Sequence, residues 1–121
     1  MTYLGIKTSH REGVEIFVSC DGVLQHHIFP TLESDSLLSA VDSMVRPEEL
    51  SGMIVIESPG SFTAVRSAVV VANAIAVARA IPVVGAVSMD AGIKLLESGA
   101  NAFPLAPHYD REPNITIKNV A

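Results

Sequence analysis

The sequence predicts a mixed α/β domain with the element order βββαβαβα. Three observations carry that prediction. Residues 14–20 alternate along the chain in the period of a sheet, and Asp21-Gly22 then supplies a two-residue hairpin turn. Apolar positions adopt a helical period over residues 32–46 and again after Pro59-Gly60. Two short apolar runs, from Gly52 to Glu57 and from Pro82 to Val87, read as strands.

Taken in order, residues 3–8 form the first strand, and HREG turns the chain into Val14 to Cys20. The hairpin turn leads to VLQHHIF, which ends at Pro30, so the opening third is an antiparallel three-strand meander. Between Leu32 and Arg46, Leu37, Leu38, Ala40, Val41, Met44 and Val45 share one arc. Asp35, Ser39, Asp42, Ser43 and Arg46 take the other, the pattern of an amphipathic helix that Pro47 ends. After the fourth strand, Pro59-Gly60 makes a turn at which Ser61 or Thr63 can cap a helix. IPVVGAV supplies the fifth strand, and Ser88 caps a last helix through Leu95 and Leu96 that stops at Gly99.

The central helix, about 62 to 80, organises the rest. Ala68, Val71, Ile75 and Ala78 line one side, while Val70, Val77 and Ala80 lie on the other with Arg66 and Asn73 among them. A surface helix of a small domain needs a single apolar side. The second side calls for another surface, since full burial of a valine is worth roughly 1.5–3 kcal/mol. A membrane is the weaker candidate: a spanning helix wants about 20 consecutive apolar residues, and Arg66, Asn73, Arg79 and Pro82 interrupt this run.

At 121 residues the chain reads as one domain, with residues 1–102 its body and 103–121 a Pro-rich tail in which Ile115 and Ile117 suit an edge strand. Hydrophobic residues make up 49% and mean hydropathy is +0.40, but the chain has two Tyr, four Phe and no Trp, so its core is aliphatic. Net charge is −5 and Lys and Arg form no cluster. Both facts disfavour tight direct binding of RNA or DNA. Cys20 is the sole cysteine, which excludes an internal disulfide and a Cys-based zinc site, and it reads as a small core residue. The N-terminal residues MTYLGIKTSH show no charged leader before an apolar core, an expectation of a cytoplasmic chain.

Alternating strands and helices after an antiparallel start imply parallel pairing through right-handed crossovers. That succession resembles the ribonuclease-H-like core shared by actin, Hsp70, sugar kinases and several nucleases, and the family resemblance that follows implies the actin-like ATPase superfamily. Within it, SPGSFTAVR at residues 58–66, followed by IPVVGAVSM, resembles the GPGSFTG-[LV]-R…IPVVGVSSL signature of the TsaB (YeaZ) family. YLGIKTS at residues 3–9 is similar to that family's ILAIDTS, and Pro107-His108-Tyr109-Asp110-Arg111 resembles its closing Pro-x-Tyr-x-Arg.

The resemblance implies a non-catalytic subunit that pairs with the catalytic TsaD subunit, aided by the ATPase TsaE, in forming threonylcarbamoyladenosine on tRNA. ATP and a metal would then be used by those partners, with no cofactor bound by this chain alone and tRNA reached only through the complex. The first two helices form the family's pairing surface, also used for homodimers. Carried onto this chain, that surface comprises Leu37, Leu38, Val41 and Val45 on one helix and Arg66, Val70, Asn73 and Val77 on the next. An isolated preparation is expected to dimerise through it.

The chain departs from the pattern in several places. Lys7 stands where the family has Asp, while Ser58 and Ala64 replace glycines. The histidine that usually precedes the first helix is missing, and so is the usual second domain, so the chain reads as a natural short form. Lys7 bears on the alternative of a metal-dependent nucleotide-hydrolysing or nuclease enzyme, because a cation at the end of the first strand repels the metal that a carboxylate would hold. Glu57 lacks a converging carboxylate and reads as structural. The turn formed by Ser58, Gly60, Ser61 and Thr63 has two readings, a phosphate cradle or an ordinary capped helix start. Arg66 likewise suits an anion, a partner carboxylate or solvent. His26 and His27 point to opposite faces of one strand and cannot share a metal, and Ser61 has no His and Asp placed to activate it. A further alternative is a self-associating module without the tRNA role.

Overall fold

The computed structural model describes residues 1–9, 13–29, 34–57 and 62–106, with backbone alone for residues 8, 9, 34–36 and 62–65. The Ser58 to Ser61 turn, His10, and the tail from Pro107, including Ile115 and Ile117, lie outside the described residues. The strands are β1 (Thr2–Ser9), β2 (Gly13–Cys20), β3 (Val23–Phe29), β4 (Gly52–Ile56) and β5 (Val83–Ala86). The helices are α1 (Ser34–Met44), α2 (Phe62–Arg79) and α3 (Met89–Glu97), and a single 3₁₀ turn over Pro47–Glu49 precedes β4.

The sheet has the order β3-β2-β1-β4-β5. β1, β2 and β3 pair antiparallel, and β1-β4 and β4-β5 pair parallel. Asp21 and Gly22 take φ of 51° and 88°, the left-handed conformations that a twist-matched two-residue turn requires, and so set Phe17 opposite His26. This is the expected mixed sheet and meander.

Alternation along the strands builds two apolar layers. Leu4, Ile6, Ile16, Met53 and Val55 face α1 and α2, where they meet Leu37, Val41, Ala68, Ala72 and Ile75. Tyr3, Ile54, Ile56 and Val84 face α3 and meet Met89 and Leu96. α3 sits close because Gly92 has no Cβ: one placed there would lie 2.6 Å from Ile54 Cγ2. Ser88 caps α3 by accepting from the Ala91 N–H at 3.1 Å, and Gly99 at φ 91° follows the helix end, both as the sequence implied.

Two expectations fail. Cys20 is exposed at the end of β2, where it and the last turn of α1 line an open surface groove. Ala78 is exposed although its wheel position placed it with Ala68, because α2 overhangs the sheet in its last turn. There the Ile81 N–H donates to the Ala76 carbonyl at 3.0 Å, and Ala80 takes φ of 55°. This is the left-handed close of a helix with alanine where glycine is usual.

Two stability measurements follow. Ala80→Gly relieves the left-handed strain and is expected to stabilise the fold by about 0.5–1 kcal/mol, read as a rise in melting temperature. Gly92→Val drives a side chain into Ile54 and is expected to cost about 1–3 kcal/mol in the same measurement.

Candidate docking face

The outward stripe of α2 is the candidate site. Ala68, Val69, Val71, Ala72, Ile75 and Ala76 are buried beneath it, whereas Val70 is 57% exposed and Val77 64% exposed. Arg66 and Ala74 are exposed on the same stripe, at helical spacings from these valines. α1 packs beside α2 and contributes Leu38, 43% exposed. The doubly apolar helix read from the sequence therefore does present a second greasy side.

The residues expected to form the site divide into four groups. Val70, Val77, Leu38 and Arg66 are at the surface. Leu37 and Val41, expected at the partner surface, are instead fully buried, and Val45 is half-buried against the core. The reason is geometric: an 11-residue helix has one apolar face, and the sheet together with α2 uses it. Asn73 is engaged inside the chain. Its side-chain amide donates to the Leu105 carbonyl and its Oδ1 accepts from the Leu105 N–H, each at 2.9 Å. A lone amide in an otherwise apolar helix was the sequence signal for such a clamp. Ser58, Gly60 and Ser61 lie outside the described residues, and Thr63 is placed only as a backbone position in the first turn of α2.

A polar cluster lies near the carboxyl end of β1 and on the neighbouring β2 and β3. Lys7 Nζ lies 3.9 Å from Glu15 Oε1, and Glu15 Oε2 lies 2.6 Å from His26 Nε2. The His26 ring stacks on Phe17 with centroids 4.5 Å apart and planes 9° from parallel. The sequence reading missed this cluster, although the two-residue turn that sets Phe17 opposite His26 was visible in it. His27 faces the other way, tilted against Phe29.

Lys7 is the register partner of Ile56, so Glu57, one residue on, belongs to the opposite face. There Glu57 packs over Gly85, where an added Cβ would lie 2.6 Å from Glu57 Oε2. Strand alternation therefore keeps Lys7 and Glu57 apart. Among the described residues no three His, Cys, Asp or Glu side chains are grouped to hold a metal, and no helix is long and apolar enough to cross a membrane.

The strand order, the two helices on one face and the single helix on the other define an actin-like, ribonuclease-H-like α/β domain with an uncovered helix stripe. The chain belongs to the family described as TsaD, tRNA N6-adenosine threonylcarbamoyltransferase, whose family model matches residues 34–110, more than half of the 121. Within that family it is TsaB/YeaZ-like. YeaZ from Pseudomonas aeruginosa is 25% identical with a TM-score of 0.59, over 70% of this chain and 44% of that one. A second structure, an uncharacterized protein with similarity to peptidase YeaZ from Pseudomonas aeruginosa, is 26% identical with a TM-score of 0.60, over 69% of this chain and 42% of that one. The chain thus spans less than half the length of these two proteins. No match was found among curated proteins.

If Val70 and Val77 are surface residues without a role in the core, Val70→Asp and Val77→Asp should each change unfolding free energy by no more than about 0.5 kcal/mol, as surface substitutions do. Denaturant titration followed by circular dichroism checks this, and a loss of several kcal/mol would place these valines in the core.

Proposed function

We propose that this chain is a TsaB-type, non-catalytic subunit that docks on a TsaD-like catalytic subunit in the formation of threonylcarbamoyladenosine on tRNA. The observation that carries the reading is the exposed stripe of Val70, Ala74 and Val77 on α2, with Leu38 of α1 beside it, in a chain of this family. Each of these valines has several tenths of its surface in water, and covering both recovers a few kcal/mol. An aliphatic stripe of this kind suits a partner helix of matching apolar surface.

The site chemistry supports a non-catalytic role. Lys7 occupies the end of β1 and is turned toward Glu15, so the described residues there present a cation next to a carboxylate that His26 also engages. In this reading ATP hydrolysis and tRNA contact belong to the TsaD-like and TsaE-like partners. Residues 1–102 form the docking body, residues 103–121 form a tail, and in the absence of TsaD a second copy covers the stripe.

Size-exclusion chromatography of the chain mixed with TsaD from the same source is expected to give one co-eluting species, lost in Val70→Asp and Val77→Asp. Separate elution of two folded proteins overturns the reading. Metal-dependent ATP or nucleic-acid turnover that disappears in Glu57→Gln would also overturn it, in favour of an enzyme. Failure to restore the tRNA modification in cells lacking TsaB would reduce the chain to a self-associating module.

A further inference from the structure

β3 is the outermost strand of the sheet on one side, and among the described residues no strand pairs with its outer edge. Six of its seven residues are exposed, with Val23 at 66%, Leu24 at 53% and Ile28 at 58%. Such an edge offers unpaired backbone N–H and C=O groups, and folded proteins usually blunt it with a charge, a proline or a bulge. VLQHHIF contains no Lys, Arg, Asp, Glu or Pro, and its register with β2 runs one to one from Val23 to Phe29 without a bulge. In a chain of net charge −5, this uncharged aliphatic edge is open to another strand of the same kind.

The hairpin fixes which groups that strand would meet. Cys20 and Val23 flank the two-residue turn and so direct their N–H and C=O groups at each other. Alternation then turns the backbone groups of Leu24, His26 and Ile28 to the free side. These three share the sheet face of Phe17, while Val23, Gln25, His27 and Phe29 share the other. The pattern is its own complement. Laid antiparallel on a copy of itself about His26, the strand sets Leu24 opposite Ile28, Val23 opposite Phe29 and Gln25 opposite His27, with about six new backbone hydrogen bonds. A shift of two residues either way sets Leu24 or Ile28 against His26 and carries the other past the strand's end. His26 itself is braced within its own chain by Glu15 and Phe17.

We propose that β3 is a dimerisation edge: two copies of this chain pair antiparallel about a two-fold axis through His26 and join their five-stranded sheets into one. The exposed strand offers roughly 500 Å² on each copy, so the pair covers about 1,000 Å², the lower limit of a specific interface. Association is therefore concentration-dependent. α2 packs on β1 and β4, with β2 between them and this edge. The contact is thus separate from the docking stripe and does not depend on the function proposed above.

The test uses the whole chain carrying Val70→Asp and Val77→Asp, which removes the α2 stripe as a route to dimers. Sedimentation equilibrium at about 100 µM, where a micromolar Kd fills the complex, is expected to give a dimer. Leu24→Lys and Ile28→Lys, with folding checked by circular dichroism, are each expected to weaken it at least about tenfold, since charge on an edge opposes pairing. Register is read separately, with the stripe unsubstituted, from single cysteines in a Cys20→Ser chain. Oxidation is expected to cross-link His26→Cys to its copy at least about tenfold faster than Gln25→Cys or His27→Cys, whose Cα atoms would stand about 8 Å from their symmetry mates, beyond disulfide reach. A monomer in the first experiment, a dimer indifferent to both lysines, or equal cross-linking at the three positions would overturn the proposal. Dimers that vanish with Val70→Asp alone would assign self-association to the stripe instead. Co-elution with TsaD does not use this edge, so its outcome judges the docking function independently.

Discussion

The packing of the alanine side of α2 onto the sheet is the interaction on which the rest of the molecule depends. Ala68, Ala72 and Ala76 are buried there, interleaved with Val69, Val71 and Ile75, over a sheet surface made by Leu4, Ile6, Met53 and Val55. Small side chains let a helix axis approach a sheet closely, and branched ones from the strands fill the remaining space. The close approach fixes α2 above β1 and β4, the two strands that join the antiparallel and parallel parts of the sheet. From that placement follow the position of α1 at its side, the carboxyl ends of the strands near its first turn, and the outward orientation of Val70 and Val77.

The same packing explains why an apolar stripe is left over. A helix on a sheet buries about half its circumference, and α1 and the 101–105 segment occupy its flanks rather than its top. Filling the top with valines does nothing for the isolated fold, since burial energy is gained only when water is displaced. Such a surface persists without cost to stability and acquires meaning through association. The polar cluster of Lys7, Glu15 and His26 belongs to the opposite sheet face, so the exposed valines and the ionic groups are separated by the thickness of the sheet.

The segment after α3 is tied to the middle of α2. Asn73 is a costly residue to leave half-buried unless its amide is satisfied, and the backbone of Leu105 satisfies both its donor and its acceptor. The clamp brings the chain that follows α3 back to α2, so the last described residues and the stripe meet at one place on the surface.

Much of this was legible in the sequence because its signals are local. Period-two and helical spacings, the Asp21-Gly22 turn, the Ser88 cap and the two valines opposite the buried side of α2 each act over a few residues, and each reappears in the structure. Other features depended on how many neighbours a face acquires. Leu37 and Val41 share an arc with Leu38, yet only tertiary packing decides that the first two fill the core while Leu38 meets water. Cys20 and Ala78 look like core residues by type and position and are exposed at the ends of β2 and α2. The Asn73 clamp and the separation of Lys7 from Glu57 join residues far apart in the chain or on opposite sheet faces. A sequence determines its elements through short-range geometry, whereas coverage is a property of the assembled layers, and only the fold could decide which greasy residues remained for another surface.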